Sequence, residues 1–142
     1  VGADGTPESV PVIEFAFEMA AARRLPLTVL HCAWDAVAAV AGMRRVSESD
    51  LDPSDAAELR MLLSESVAGL REKFPDVEVR LVVAHGLVDE TIARSDADWD
   101  VVVVGRHPTG SLGRLVTGSI ATAVVERAHA TVAVVPEAVQ GD

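Results

Sequence analysis

A chain of 142 residues is long enough for one domain with a sizeable core, and at 49% hydrophobic and 24% charged residues it falls outside the disordered class. A formal net charge of −10 argues against a nucleic-acid backbone or an anionic membrane as partner, although a local cluster of N–H groups can still hold a small anion. The single Cys excludes an internal disulfide and fits a reducing, cytoplasmic setting, and no apolar run approaches the ~20 residues of a membrane span.

In chain order, Val1, Gly2 and Ala3 read as the stub of a first strand and Asp4-Gly5-Thr6-Pro7 as a turn. The short stub and the missing initiator Met create the expectation that residues precede the chain, as in one half of a tandem protein. Residues 8–24 predict a helix with Val10, Ile13, Phe17 and Ala20 on one face. Pro11 sits in its first turn, where a missing N–H costs little, and Leu25-Pro26 ends it. Residues 27–32 form an apolar strand. Residues 33–53, with Trp34, Gly42, Arg44, Arg45 and then an acidic stretch, read as a long loop, mobile or partly helical. A second helix runs from Asp52-Pro53 to about Phe74, with Leu59, Leu63, Val67, Leu70 and Phe74 as its buried stripe.

Residues 77–83 alternate Val77, Val79 and Leu81 with Glu78 and Arg80, which suggests an edge strand. A turn at His85-Gly86, a short helix over 87–95 and a loop over 96–100 follow. Val101 to Val104 are four consecutive valines without polar alternation, the pattern of a central strand buried on both faces. After Gly105 comes a polar, glycine-rich loop, and Gly118-Ser119 opens a helix with Ile120, Val124 and Ala128 on one face. The segment from Thr131 to Val135 is the last strand, ended by Pro136. The order β-α-β-α-β-α-β-α-β implies one domain over 1–142: a doubly wound, five-stranded parallel α/β sheet with helices on both faces. In such sheets ligands bind beyond the carboxyl ends of the strands, where the strand order reverses.

A strand, a glycine-rich loop and a helix start can hold an anion, because free N–H groups and the positive end of the helix dipole converge there. A plain connection with Ser119 as an ordinary N-cap gives the same pattern. The loop lacks the Gly-Lys-Ser/Thr of a Walker A loop and is no G-x-G-x-x-G either. Its spacing resembles the Gly-x2-Gly-x9-Gly-Ser/Thr of nucleotide-binding universal stress proteins, with Gly105 first, Gly118-Ser119 last, and Pro108 in place of the second glycine. The resemblance extends along the chain. Gly2-Ala3-Asp4-Gly5-Thr6 looks like the family's opening turn, Leu30-His31-Cys32 like the end of its second strand, and Asp98-Trp99-Asp100 like the acidic lead-in to its fourth. His85-Gly86 stands before a short helix as in the family, and Ala130-Thr-Val-Ala-Val-Val-Pro136 is similar to its last strand.

That resemblance implies a stress-response regulatory domain of the adenine-nucleotide-binding α/β kind, with ATP as ligand, Mg held only through its phosphates, and at most weak hydrolysis. Asp4 would face the ribose and Thr6 support the turn. Ala3 and Cys32 would meet the adenine, Val104 and Gly105 would lie along the nucleotide, and Gly118, Ser119 and Ile120 would hold the phosphates. Proline has no N–H, so any amide contact at position 108 is lost. Pro108 therefore keeps open a module of the same fold that binds no nucleotide and acts through dimerisation or a protein partner. The resemblance also implies pairing through the segment from Thr131 to Val135, as a homodimer or as a pseudo-dimer within a tandem protein.

Other residues carry no chemistry by pattern. His31, His85, His107 and His129 are scattered without metal-ligand spacing. Cys32 reads as a buried structural thiol, Trp34 and Trp99 as packing, and no Ser-His-Asp set can be read from order alone.

Overall fold

The computed structural model describes residues 1–3, 5–33, 53–85, 88–94, 98–106 and 114–138, with the backbone alone at 33, 53–55, 85 and 114–120. Asp4, Pro108 and nearly all of the long loop expected over 33–53 lie outside the described residues. The elements are α1 (Val10–Arg23), β1 (Leu27–Ala33), α2 (Pro53–Lys73), β2 (Val79–His85), α3 (Val88–Arg94), β3 (Val101–Arg106), α4 (Arg114–Arg127) and β4 (Thr131–Pro136). A 3-10 turn, Pro7–Ser9, leads into α1.

Among the described residues all strand pairing is parallel. β1 pairs with β2 from Leu27↔Val79 to Ala33↔His85, and β3 with β4 from Val101↔Thr131 to Arg106↔Pro136. Residues 1–3 lie between these two ribbons. Val1 N donates to Thr28 O at 2.7 Å, Leu30 N to Val1 O at 2.8 Å and Ala3 N to Leu30 O at 2.8 Å. On the other side Gly2 N donates to Val103 O at 3.0 Å. The spatial order is thus β2, β1, residues 1–3, β3, β4. The expected first strand is present as a three-residue segment with one parallel bridge, Gly2↔Leu30, too short for a ladder of its own.

Alternation along the strands distributes the core over two faces. Val29, Val83 and Val103 point toward α1 and α2, where they join Val12, Ile13, Phe17, Leu63 and Val67. Leu30, Val102 and Val104 point the other way, onto Ile92 of α3 and Ala121 and Val124 of α4. Helices cover both faces, as a doubly wound sheet requires. The four-valine run behaves as its composition dictates: Val102, Val103 and Val104 are buried and Val101 half-buried. Each such side chain contributes about 1.5–3 kcal/mol relative to exposure. Phe17 is fully buried, with the Phe74 ring 5.8 Å away between centroids.

Three local expectations are corrected. Val10 is 40% exposed and does not belong to the buried stripe of α1, which is Val12, Ile13, Ala16, Phe17 and Ala20. At 3.6 residues per turn Val10 lies about 200° from Val12 around the helix. Val77 is buried but precedes its strand, its N–H held by Phe74 O at 3.2 Å. The last helix begins at Arg114, so Gly118 and Ser119 lie in its second turn and do not open it. Arg114 and Leu115 are good helix formers, which lets the first turn form ahead of Gly118.

The end of α1 shows how the chain is turned into β1. Arg24 adopts the left-handed conformation, φ 55° and ψ 43°; its N–H reaches Ala21 O, and Leu25 N–H reaches back to Ala20 O at 3.0 Å. This paired arrangement closes a helix most cheaply with glycine. Arg24→Gly is therefore expected to stabilise the fold by about 1 kcal/mol, read as a raised denaturation midpoint at unchanged m-value; a lowered midpoint would contradict the strain at this position.

Candidate functional site

From residues 1–3 the chain passes to β1 on one side, and it returns later to β3 on the other. The order reverses between residues 1–3 and β3, and the Gly2–Val103 hydrogen bond makes them direct neighbours. Their carboxyl ends, just beyond Ala3 and around Gly105, lie side by side, which is where a doubly wound sheet takes its ligands as a rule.

One wall is the turn after Ala3. Ala3 is buried, and its carbonyl accepts from His31 Nδ1 at 2.8 Å, which ties the turn to the end of β1. Gly5 stands at φ 79°, a region only glycine enters without strain. Thr6 is half-buried and extended, and its carbonyl accepts both Ser9 N at 3.2 Å and Ser9 Oγ at 2.8 Å. Thr6 thus heads the 3-10 turn.

Cys32, near the end of β1, is half-buried, with Sγ donating to Thr91 Oγ1 of α3 at 3.7 Å. Burial pushes its thiol above the ordinary range; the Thr91 contact opposes the rise and the charge of Asp89 adds to it. Asp89 is itself buried in the first turn of α3 and pairs with Arg127 of α4 at 2.7 Å, which ties α3 and α4 together. Trp99 is half-buried against the same face, its Nε1 donating to Ile92 O at 3.4 Å.

The opposite wall is the end of β3. Val104 is buried toward α3 and α4. Gly105 is half-buried, and the Glu137 side chain folds across it: a β-carbon here would clash with the carboxylate and stand 3.0 Å from Cγ and 3.1 Å from Cδ. Of the residues singled out by sequence, Ala3, Thr6, Cys32, Val104 and Gly105 are thus described, with Ala3 and Gly105 brought to neighbouring strand ends. Asp4 and Pro108 lie outside the described residues, and of Gly118, Ser119 and Ile120 only the helical backbone is described. Because α4 starts at Arg114, the amides of residues 114–116 in its first turn have no intrahelical acceptor. Sequence reading missed the His31–Ala3 bond and Glu137 altogether; the only signal for Glu137 was its place directly after the strand-ending Pro136.

Among the described residues no group of three His, Cys, Asp or Glu side chains could hold a metal ion, and no helix is long and apolar enough to cross a membrane.

Comparison with known proteins gives a consistent result. The sequence model of the Universal stress protein family matches residues 1–136. A curated universal stress protein of Mycobacterium tuberculosis is 34% identical over 135 residues, which is 94% of this chain and 43% of the relative. A universal stress protein of Mycolicibacterium smegmatis is 30% identical over 135 residues, 95% of this chain and 44% of its own length. The chain therefore spans under half the length of the curated relatives it matches. Among solved structures, a universal stress protein in complex with cAMP superposes with TM-score 0.67 at 21% identity, covering 95% of this chain and 93% of that one. One from Archaeoglobus fulgidus gives 0.64 at 22% identity, covering 96% and 95%.

The raised thiol has a direct consequence. The folded pKa lies above the unfolded one, so at pH 8 the native thiol ionises less than a free thiol would. Alkylation of Cys32 by iodoacetamide at pH 8 is expected to be slower in the native protein than in urea. Equal rates would contradict the burial that causes the shift.

Proposed function

The chain belongs to the universal stress protein family, and from that premise we propose that this stress-response domain binds an adenine nucleotide, ATP, in the crevice between the Ala3 turn and the end of β3. The observation that carries the reading is the Gly2–Val103 hydrogen bond, which sets the two strand ends side by side at the reversal of strand order. The relative solved with cAMP supports the choice of an adenine ligand. Asp4 accepts from the ribose hydroxyls, Thr6 holds the turn, and the backbone at Ala3 and Cys32 meets the adenine. Val104 and Gly105 run along the nucleotide, and Gly118, Ser119 and Ile120 attend the phosphates, joined by the unpartnered amides at the start of α4. Mg enters only with the phosphates. The reading assigns no catalytic residue, and any hydrolysis is slow.

Pro108 lacks the amide that a glycine would offer there. One charge-assisted hydrogen bond is worth about 1.5–3 kcal/mol, or about one to two decades in affinity. Calorimetric titration is expected to show Pro108→Gly binding ATP more tightly than the parent by that factor. Gly118→Glu is expected to abolish binding by bulk and like charge. If the parent binds nothing at millimolar ATP and Pro108→Gly does not restore binding, the same fold acts as an interaction module without nucleotide.

A second observation favours association of two such domains. β4 is an edge strand with Val134 41% exposed, and Val125 of the neighbouring α4 is 52% exposed. An apolar, uncovered edge invites pairing, so we propose a homodimer, or a pseudo-dimer with a second domain of a tandem protein, through β4. Light scattering at micromolar concentration is expected to give twice the chain mass, and Val134→Lys to return it to one chain; a monomeric parent would count against the pairing.

A further inference from the structure

The seam between the two ribbons is open at its amino end. Gly2 bridges Leu30, which sets Val1 opposite Val29, and β1 runs two residues further back, to Leu27. On the other side Gly2 N bonds to Val103 O, which sets Val1 opposite Val103, and β3 also runs two residues further back, to Val101. The carbonyls of Thr28 and Val103 accept from Val1 and Gly2, so the N–H groups of the same two residues point into the seam as well. A cavity lies here on each face of the sheet. One, of about 250 Å³, is on the α1 side, among Ala16, Met19, Ala20 and Val103. The other, of about 230 Å³, is on the α3 side, among Leu30, Val82, Ile92 and Val102. Val1, Thr28, Trp99 and Val101 line both; the charged residues that border them are Arg23, Asp98 and Asp100 on the α1 side and Arg80 on the α3 side. The Val1 amino group is buried between them and donates to Thr28 O at 2.7 Å. Burial pushes its pKa down from 8.0 to about 5, whereas an amide N–H would make the same bond without a charge to desolvate.

We propose that the seam is an acceptor for two further residues of extended chain, joined ahead of Val1 and lying parallel between β1 and β3, with one apolar side chain in each cavity. Side chains alternate along a strand, and Val1 packs on the α1 side. The residue directly before Val1 therefore turns into the α3-side cavity, and the one before that into the α1-side cavity. Their carbonyls come opposite the N–H groups of Val103 and Thr28, so the segment pairs with both neighbours at once. The aliphatic lining of both cavities selects β-branched apolar residues, which also favour the extended backbone. Chain directly ahead of Val1 is the source because the buried amino group already lies in strand register, and the curated relatives are more than twice as long as this chain. The proposal is independent of the nucleotide reading.

Melting curves of the 142-residue chain, and of the same chain with Gly-Gly or Val-Val added ahead of Val1, test this. Gly-Gly moves the amino group away from Val1 but fills neither cavity; Val-Val does both. The parent is expected to lose stability as the pH falls from 8 to 5, because over that window the unfolded chain takes up the proton that the folded chain refuses. Both extended chains are expected to lose less. At pH 8, Val-Val is expected to melt roughly 10 °C above Gly-Gly. Val-Asp places a carboxylate in the α3-side cavity and Asp-Val in the α1-side one, and each is expected to forfeit most of that gain. If Val-Val melts with Gly-Gly, or below the parent, the seam does not take the segment and the proposal falls. If the two Asp-containing extensions keep the gain, the added residues lie outside the cavities and it falls as well. A parent that is unfolded in solution and folds on addition of Val-Val but not of Gly-Gly supports it.

Discussion

Four hydrogen bonds made by three residues hold this domain together. Val1 and Ala3 bond to β1 through Thr28 and Leu30, and Gly2 bonds to β3 through Val103. Without them the sheet would be two separate two-stranded ribbons, each marginal in water by itself. With them, one layer presents two faces to the four described α-helices, and both hydrophobic clusters become continuous across the seam: Val29 with Val103 on one side, Leu30 with Val102 and Val104 on the other. The reversal of strand order falls at the same seam. Packing across the sheet and the place proposed for a ligand therefore depend on one constraint, the close approach of the Gly2 backbone to β3.

Much of this could be read from residue order, and the reason is periodicity. Four valines without alternation can be satisfied only in the middle of a covered sheet, and the stripe Leu59, Leu63, Val67, Leu70 has only one helical face to sit on. The failures are equally physical. Val10 satisfies a helical spacing with Ile13 and Phe17, but the buried arc is centred on the other side of Ile13, toward Val12 and Ala16. A list of apolar positions does not fix the centre of an arc; the 3-10 turn before α1 and the sheet beneath it do. The start of α4 was misplaced because Gly118-Ser119 is a plausible helix opening in sequence, whereas Arg114 and Leu115 have helical propensity and no cap signal of their own. Arg24 in the left-handed region carried no sequence signal at all, since any reading of a helix end looks for glycine there.

The candidate site was legible as far as its backbone positions and no further. Strand ends are set by apolar runs, so Ala3, Cys32 and Gly105 could be placed from the sequence. What fills the space between those ends depends on long-range side-chain direction. His31 reaches across 28 positions to the Ala3 carbonyl, and Glu137 returns to Gly105 from beyond the last strand. No local pattern encodes either contact.

Gly105 has one physical explanation in this structure: its absent side chain leaves the space in which Glu137 lies. The domain's acidity bears on any anion site built beside it. A chain that carries −10 overall keeps anions out by its general field, and an anion site within it must rely on short-range donors. On the nucleotide reading, the backbone amides at the start of α4 are such donors, and their fixed dipoles hold an anion that the surface charge by itself would repel.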